Sequence, residues 1–393
     1  MKKLSVRYRR WLKHRIEYTA WRRLSASVRQ ARRRVRPLAD VWTGEDFIKV
    51  RVRGEPLAVP KILCLDQNTA ETLKFLDRLR RRLLWGSSKN DVKWLNNENG
   101  APWVGTYLDF SQIEYISASV ALILAAEYER AVEATKIPPP VINIHEWQQS
   151  VFDRFFELGF FSIVRLSRIE EGGHVVSNQD RMTLRFLSGS DASEAEAADL
   201  RLLELAEFID PDHELPASIA VPINTALSEA MVNVRMHAYP SWHHFQFRPV
   251  NRWWLTGTAD RTTRTLTISI YDQGASIPIT YDRLAKPAGI EKFIRDRLDL
   301  LMTPKPYASD AVHIESAMRY GNSQSERPNR GKGLPQMQDA IERCGEGRLN
   351  VHSRGGRYAY ATSTKTVLDT FKHSVGGTLI EWIIRLPQLE PQR

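Results

Sequence analysis

Four short stretches of this 393-residue chain set polar side chains at spacings suited to holding a phosphorylated ligand. The segment VPINTALSEAMVNVRMHAYP spaces Ile223, Ala226, Leu227, Ala230, Met231 and Val234 as one apolar helical stripe, with Glu229, Asn233 and His237 four apart on another. An Asn carbonyl oxygen is a hard ligand for Mg²⁺, and a carboxylate one turn away can act as general base on water or a hydroxyl. The segment RTLTISIYDQGASIP alternates Leu266, Ile268 and Ile270 as a strand that ends at Asp272. A carboxylate there can accept from the exocyclic amine of adenine, and Gly274 lets backbone pass close beside a base. In RPNRGKGLPQMQDAIERCG, Gly331, Lys332 and Gly333 open an amphipathic helix. Backbone N–H groups and the helix N-terminus favour phosphate there, and Lys332 adds a point charge. HSVGGTLIEWIIRLP puts Thr378 ahead of a closing strand, where its hydroxyl can join an adenine network.

Taken singly, each stretch has an ordinary explanation. Glu229 and Asn233 alone suit a solvent-facing polar stripe, and His237 suits a structural histidine. Order and spacing distinguish the set. The succession Glu-x-x-x-Asn on a helix, Asp-x-Gly after a strand, Gly-x-Gly-Leu opening a helix and Gly-Thr before a last strand resembles the GHKL superfamily, with its Bergerat-type ATP-binding fold. That superfamily includes gyrase, heat-shock chaperones, sensor histidine kinases and anti-sigma kinases. The resemblance covers residues 199–388. It implies ATP and Mg²⁺ as ligands, Glu229 as catalytic base, Asn233 as metal ligand and Asp272 as adenine reader. It also implies that Gly331, Lys332, Gly333 and Leu334 form the phosphate loop, with Gly274 beside the base and Thr378 on the adenine side. One departure is Ser276, where a second glycine is expected, so the backbone there must suit a non-glycine residue. Residues 280–330 hold the place of a mobile, polar lid over the nucleotide.

The elements upstream alternate short strands and helices: PKILCL, TAETLKFLDRLRRRLL, TYLDFSQIEYIS, ASVALILAAEYERAVEA, PPPVINI and HEWQQSVFDRFFELGF. This pattern predicts an α/β sandwich over residues 45–168. The segment LDFSQIEYISASVALIL with PPVINI and FFELGFFSIV resembles the STAS fold of anti-sigma-factor antagonists. Ala118 stands where that family carries its phosphorylatable serine, with Ser119 as a surrogate. Residues 169–198 read as a linker with one short strand, MTLRFL. The fold class expected is therefore α/β: a STAS-like sandwich followed by a GHKL sandwich, its mixed sheet covered by helices on one face.

Composition narrows the setting. The net charge of +10 is local: residues 1–37 hold fourteen Lys or Arg and one acid, Glu17, which is +13 and leaves the rest at −3. This tail, counted as residues 1–40, spaces Leu4, Tyr8, Leu12, Ile16, Ala20 and Leu24 four apart before Pro37. It suits a helix that binds nucleic acid or an anionic membrane surface, with Trp11 and Trp21 at the interface, or equally a solvated extension. The longest apolar run, residues 120–126, is too short to span a bilayer, and the N-terminus has no secretory signal. Cytoplasmic placement follows. Cys64 and Cys344 lie far apart with no partner at metal-ligand spacing. The expected function is an ATP-hydrolysing regulatory switch, bacterial by its resemblance, that acts on a protein partner through the STAS-like domain or by homodimerisation. Two alternatives stay open: a serine/threonine or histidine kinase of the anti-sigma or sensor type, and a non-catalytic ATP sensor that binds nucleic acid or membrane through the tail.

Overall fold

The computed structural model describes residues 38–42, 47–52, 57–85, 103–104, 107–135, 139, 141–163, 175–211, 216–299, 306–321 and 333–388. The basic tail of residues 1–37 lies outside them. The first half runs β1 (Leu38–Trp42), β2 (Phe47–Val52), β3 (Ile62–Leu63), α1 (Thr69–Trp85), β4 (Trp103–Val104), β5 (Leu108–Asp109), β6 (Tyr115–Ile116), α2 (Ala118–Thr135), β7 (Val141–Ile142), α3 (Gln149–Glu157) and α4 (Phe160–Ile163). Next come β8 (Val175–Ser177), β9 (Arg181–Gly189), α5 (Ala192–Ile209), α6 (Ala217–Asn233), β10 (Trp253–Asp260) and β11 (Thr265–Asp272). The chain continues through α7 (Ile277–Asp282), α8 (Ala288–Asp299), α9 (Asp310–Tyr320), α10 (Gly333–Cys344), β12 (Glu346–Ser353), β13 (Gly356–Ala361), β14 (Thr364–Thr370) and β15 (Thr378–Arg385).

The fold is mixed α/β, built around one eight-stranded sheet in the order β14-β13-β12-β15-β11-β10-β9-β8. Every pairing in it is antiparallel, which corrects the expectation of a mixed sheet. Strand alternation decides what each face buries. Leu266, Ile268 and Ile270 of β11 and Ile380, Trp382 and Ile384 of β15 share a core with Leu202 and Leu205 of α5, Leu227 of α6 and Ile341 of α10.

The opposite face is covered too. Trp254, Tyr271 and Leu379 join the core of the N-terminal half, beside Leu76 of α1 and the 120–126 run of α2. All seven residues of that run are fully buried, as an apolar helix without a polar side must be. Sheet coverage is therefore two-sided, where helices on one face were expected. Residues 169–198 also depart from a linker: β8 and β9 form one edge of the large sheet, and α5 starts at Ala192. Their alternation was hidden by the acidic and glycine-rich flanks. At the other end, β1 begins at Leu38, inside the stretch allotted to the tail, and pairs with β2 and β7 in a separate five-stranded sheet, β4-β2-β1-β7-β5. β3 and β6 form a parallel pair of their own. Among the described residues, no helix is long and apolar enough to cross a membrane. Both cysteines are free and buried.

A desolvated polar cluster fastens the two halves. Arg80 and Glu127, exposed by only 3% and 1%, pair at 2.8 Å, and Arg130 lies 3.5 Å from the same carboxylate. The Arg80 guanidinium also donates to the carbonyls of Ser374 (3.0 Å) and Val375, in the loop ahead of β15. The Tyr271 hydroxyl lies 3.3 Å from Glu127 Oε1. Removing one partner of such a pair leaves a buried charge without compensation. Arg80→Ala is expected to destabilise the fold by about 3–5 kcal/mol, read from urea unfolding. Because Arg130 also depends on Glu127, the triple variant Arg80→Met/Glu127→Leu/Arg130→Met is the one expected to recover most of that loss.

Candidate nucleotide site

Helix α6 turns its apolar positions Ile223, Ala226, Leu227, Ala230 and Met231 into the core, which leaves Glu229 and Asn233 partly exposed on its other side. It starts four residues before Val221 and carries Pro222 inside it. The helix does not run on regularly to His237. A π turn occupies Val234–Ala238, a distortion that concentrates at functional sites. It leaves His237 exposed and buries Ala238, whose carbonyl accepts from Ala275 N–H at 2.7 Å. The helix end thus grips the loop that follows β11.

That loop begins at Asp272, which is 6% exposed. Its carboxylate accepts from Gly274 N–H at 2.7 Å and from the backbone N–H of Thr378, its partner in the β11–β15 register. Burial outweighs these donors and pushes the carboxyl up to about 7. Gly274 packs directly against Ala238 and Asp272, so its closeness serves the loop's own packing. The Thr378 hydroxyl lies 2.8 Å from that of Ser353, which also accepts from Ile277 N–H at 2.9 Å. Ser353 is fully buried. Sequence reasoning missed it, although its place at the end of β12, opposite Thr378 in the register, is the signal that would have found it.

The chain at Gly333, the first residue of α10, returns to the base of α6. A Cβ there would stand 2.5 Å from Glu229 Oε2 and 3.6 Å from Asn233 Nδ2. Glycine is needed for that approach. Leu334 packs beside it and lines the same cavity. Gly331 and Lys332 lie outside the described residues. A cavity of about 650 Å³ is lined by Glu229, Asn233, Asp272, Gly333, Leu334 and Thr378, so six of the nine expected residues meet in one space. Gly274 stands just behind it. In Gly333→Ala the atom displaced is the tip of a flexible carboxylate, so the fold should survive while the Glu229 carboxylate moves. Given the ATP hydrolysis that the resemblance implies, phosphate release is expected to fall roughly 10²-fold, the scale of an ångström misplacement. The unfolding midpoint should be nearly unchanged in the same samples.

Three expectations are corrected. Ser276 does not sit in a conformation comfortable for a non-glycine residue: its φ of 79° and ψ of 153° fall in a region used almost only by glycine, which costs about 1–3 kcal/mol. Ser119, 3% exposed in the seam between the halves, is closed to an incoming kinase. Helix α9, read as part of a mobile lid, is a core element: Ile314, Ser316 and Ala317 are fully buried. Asp310 at its start accepts from Gly355 N–H at 3.0 Å, and burial pushes its carboxyl up to about 6. Arg319 stacks 5.3 Å over the Phe293 ring. Residues 300–305 and 322–332, with Lys305 and Arg327, lie outside the described residues. Trp253 and Trp254 are the buried start of β10.

Two orphaned polar atoms indicate what the cavity suits. Asn233 Nδ2 and Ser276 Oγ are buried without hydrogen-bond partners, a state that native interiors seldom leave uncompensated. No cluster of three or more His, Cys, Asp or Glu forms a metal cage among the described residues. A single amide oxygen suits Mg²⁺, which keeps waters and takes its remaining ligands from substrate phosphates. Neither protein-family models nor curated proteins yield a match to this chain.

Proposed function

We propose that this chain binds ATP and hydrolyses it as a conformational switch that controls a protein partner. The observation that carries the reading is the convergence, in one cavity, of residues from four distant segments: Glu229 and Asn233, Asp272, Gly333 and Leu334, and Thr378. Their chemistry divides the space. Asp272, Thr378 and Ser353 form a buried acceptor and hydroxyl cluster suited to an amine-bearing base. Glu229 and Asn233 form a carboxylate and amide corner against which the glycine loop closes. In this reading Asn233 holds Mg²⁺, which supplies charge neutralisation at the phosphates. Glu229 takes the proton of the attacking water. The resemblance assigns Gly331 and Lys332 to the same phosphate loop.

The GHKL resemblance of residues 199–388 and the STAS-like resemblance of 45–168 support a bacterial regulatory setting for this switch, and a cytoplasmic location belongs to the same proposal. Its partner is engaged through the STAS-like half or by homodimerisation. The basic tail adds contact with nucleic acid or an anionic membrane. Burial of Ser119 disfavours a kinase that modifies its own STAS-like half. Calorimetric titration of the whole chain with ATP, with and without Mg²⁺, tests the reading. Saturable binding that tightens with Mg²⁺ is the expected result; no heat at millimolar nucleotide would overturn it.

A further inference from the structure

Ser276 occupies the N-cap of α7, the place where a serine hydroxyl ordinarily accepts from the N–H of the second or third helical residue. It makes no such bond. The second helical residue is Pro278, which has no N–H, and the N–H of the first, Ile277, is already taken by Ser353 Oγ at 2.9 Å. The hydroxyl thus finds no donor at the first two helical residues, and it makes no cap bond to the third. It is also held in place: the Ser276 carbonyl accepts from Thr280 N–H and from the Thr280 hydroxyl, both at 3.1 Å.

What remains is a residue of the cavity lining, 6% exposed, in a backbone conformation that favours glycine, with a buried and unpartnered Oγ. Glycine would remove both the strain and the orphaned hydroxyl. A side chain that adds both is accounted for when a ligand supplies the missing partner. Its neighbours indicate which part of the ligand. Ser276 adjoins the Ser353–Thr378 pair beside Asp272, whereas Gly333 faces the Glu229 and Asn233 corner.

We propose that Ser276 is a specificity residue whose hydroxyl hydrogen-bonds the nucleoside part of the ligand, alongside Asp272. The inference rests on the ATP reading above. Its test uses the whole chain with Ser276→Gly and Ser276→Ala, titrated calorimetrically with ATP plus Mg²⁺ and with adenosine, and melted without ligand. Both variants are expected to bind ATP and adenosine about fivefold more weakly, the scale of one lost neutral hydrogen bond. Without ligand, Ser276→Gly should melt about 3 °C above Ser276→Ala, because only glycine relieves the backbone. Unchanged affinity of Ser276→Ala, with wild type binding ATP normally, overturns this inference alone. A loss confined to ATP overturns the nucleoside assignment. Failure of wild type to bind ATP overturns the ATP reading and this inference together.

Discussion

Replacing Glu229 by alanine is expected to lower phosphate release from ATP by about 10²–10⁴-fold while ATP binding persists, the range general-base catalysis supplies. The side chain stands on a helix whose opposite face is locked in the core, so truncation should disturb little besides the chemistry. Only the tip of Glu229 approaches the glycine loop, and no carboxylate replaces it among the cavity's described lining apart from Asp272, which β11 and β15 hold by backbone bonds. A phosphate-release assay paired with a binding titration separates the outcomes. Equal release rates from wild type and Glu229→Ala would remove Glu229 as base; loss of binding as well would mean that it holds the nucleotide instead. Glu229→Gln, which keeps the shape, should behave like alanine in rate.

Asp272→Asn is expected to weaken ATP binding about 10²-fold, as when a buried polar site loses the partner it was built for. The substitution is nearly isosteric, yet the Asp272 carboxylate already accepts from two backbone N–H groups. An amide that turns its oxygen to them presents N–H to the ligand's amine; turned the other way, it sets donor against donor at the backbone. The same carboxyl gives a pH signature. Its value in the ligand-free chain is about 7, so near pH 6 it is mostly protonated. An amine donor needs the carboxylate, so ATP affinity should rise between pH 6 and 8 with a proton released on binding. Calorimetry in buffers of different ionisation enthalpy counts that proton. Stability without ligand runs the other way. A carboxyl raised on folding contributes stability fully below its unfolded value near 3.8 and loses it as pH rises through 7. Asp272→Asn should remove this slope. Affinity flat with pH in wild type would exclude Asp272 from the base contact.

The helices and the site were far more legible in the sequence than the strands. α1 and α2 appear almost as their apolar periods indicate, and one cavity is lined by six of the residues that the resemblance groups together. Strands of two residues, such as β3, β5 and β6, are too short to alternate, so their segments read as longer than they are. Pairing partners are non-local and leave no trace in either strand: nothing in MTLRFL says that it borders β10, nor in VVS that it closes the sheet edge beside β9. Helix α9 misled because its buried polar residues, Asp310, His313 and Ser316, have a mobile segment's composition while their partners lie elsewhere in the chain. The π turn was invisible for a related reason. It ends at Ala238, whose carbonyl meets Ala275 from a distant loop, and no Gly or Pro lies within Val234–Ala238 to mark it.

The sheet buried on both faces also decides where this molecule can be divided. A fragment beginning at residue 199 would lack β8, β9 and the first turns of α5, and would lay Trp254, Tyr271 and Leu379 open to water. An apolar surface of that kind associates with others. The N-terminal half would fare no better, since Arg80 and Glu127 would keep their charges but lose the carbonyls and the tyrosine that surround them. Resemblance separates the chain into two modules, but cohesion does not: the second face of the large sheet is buried in the core of the N-terminal half.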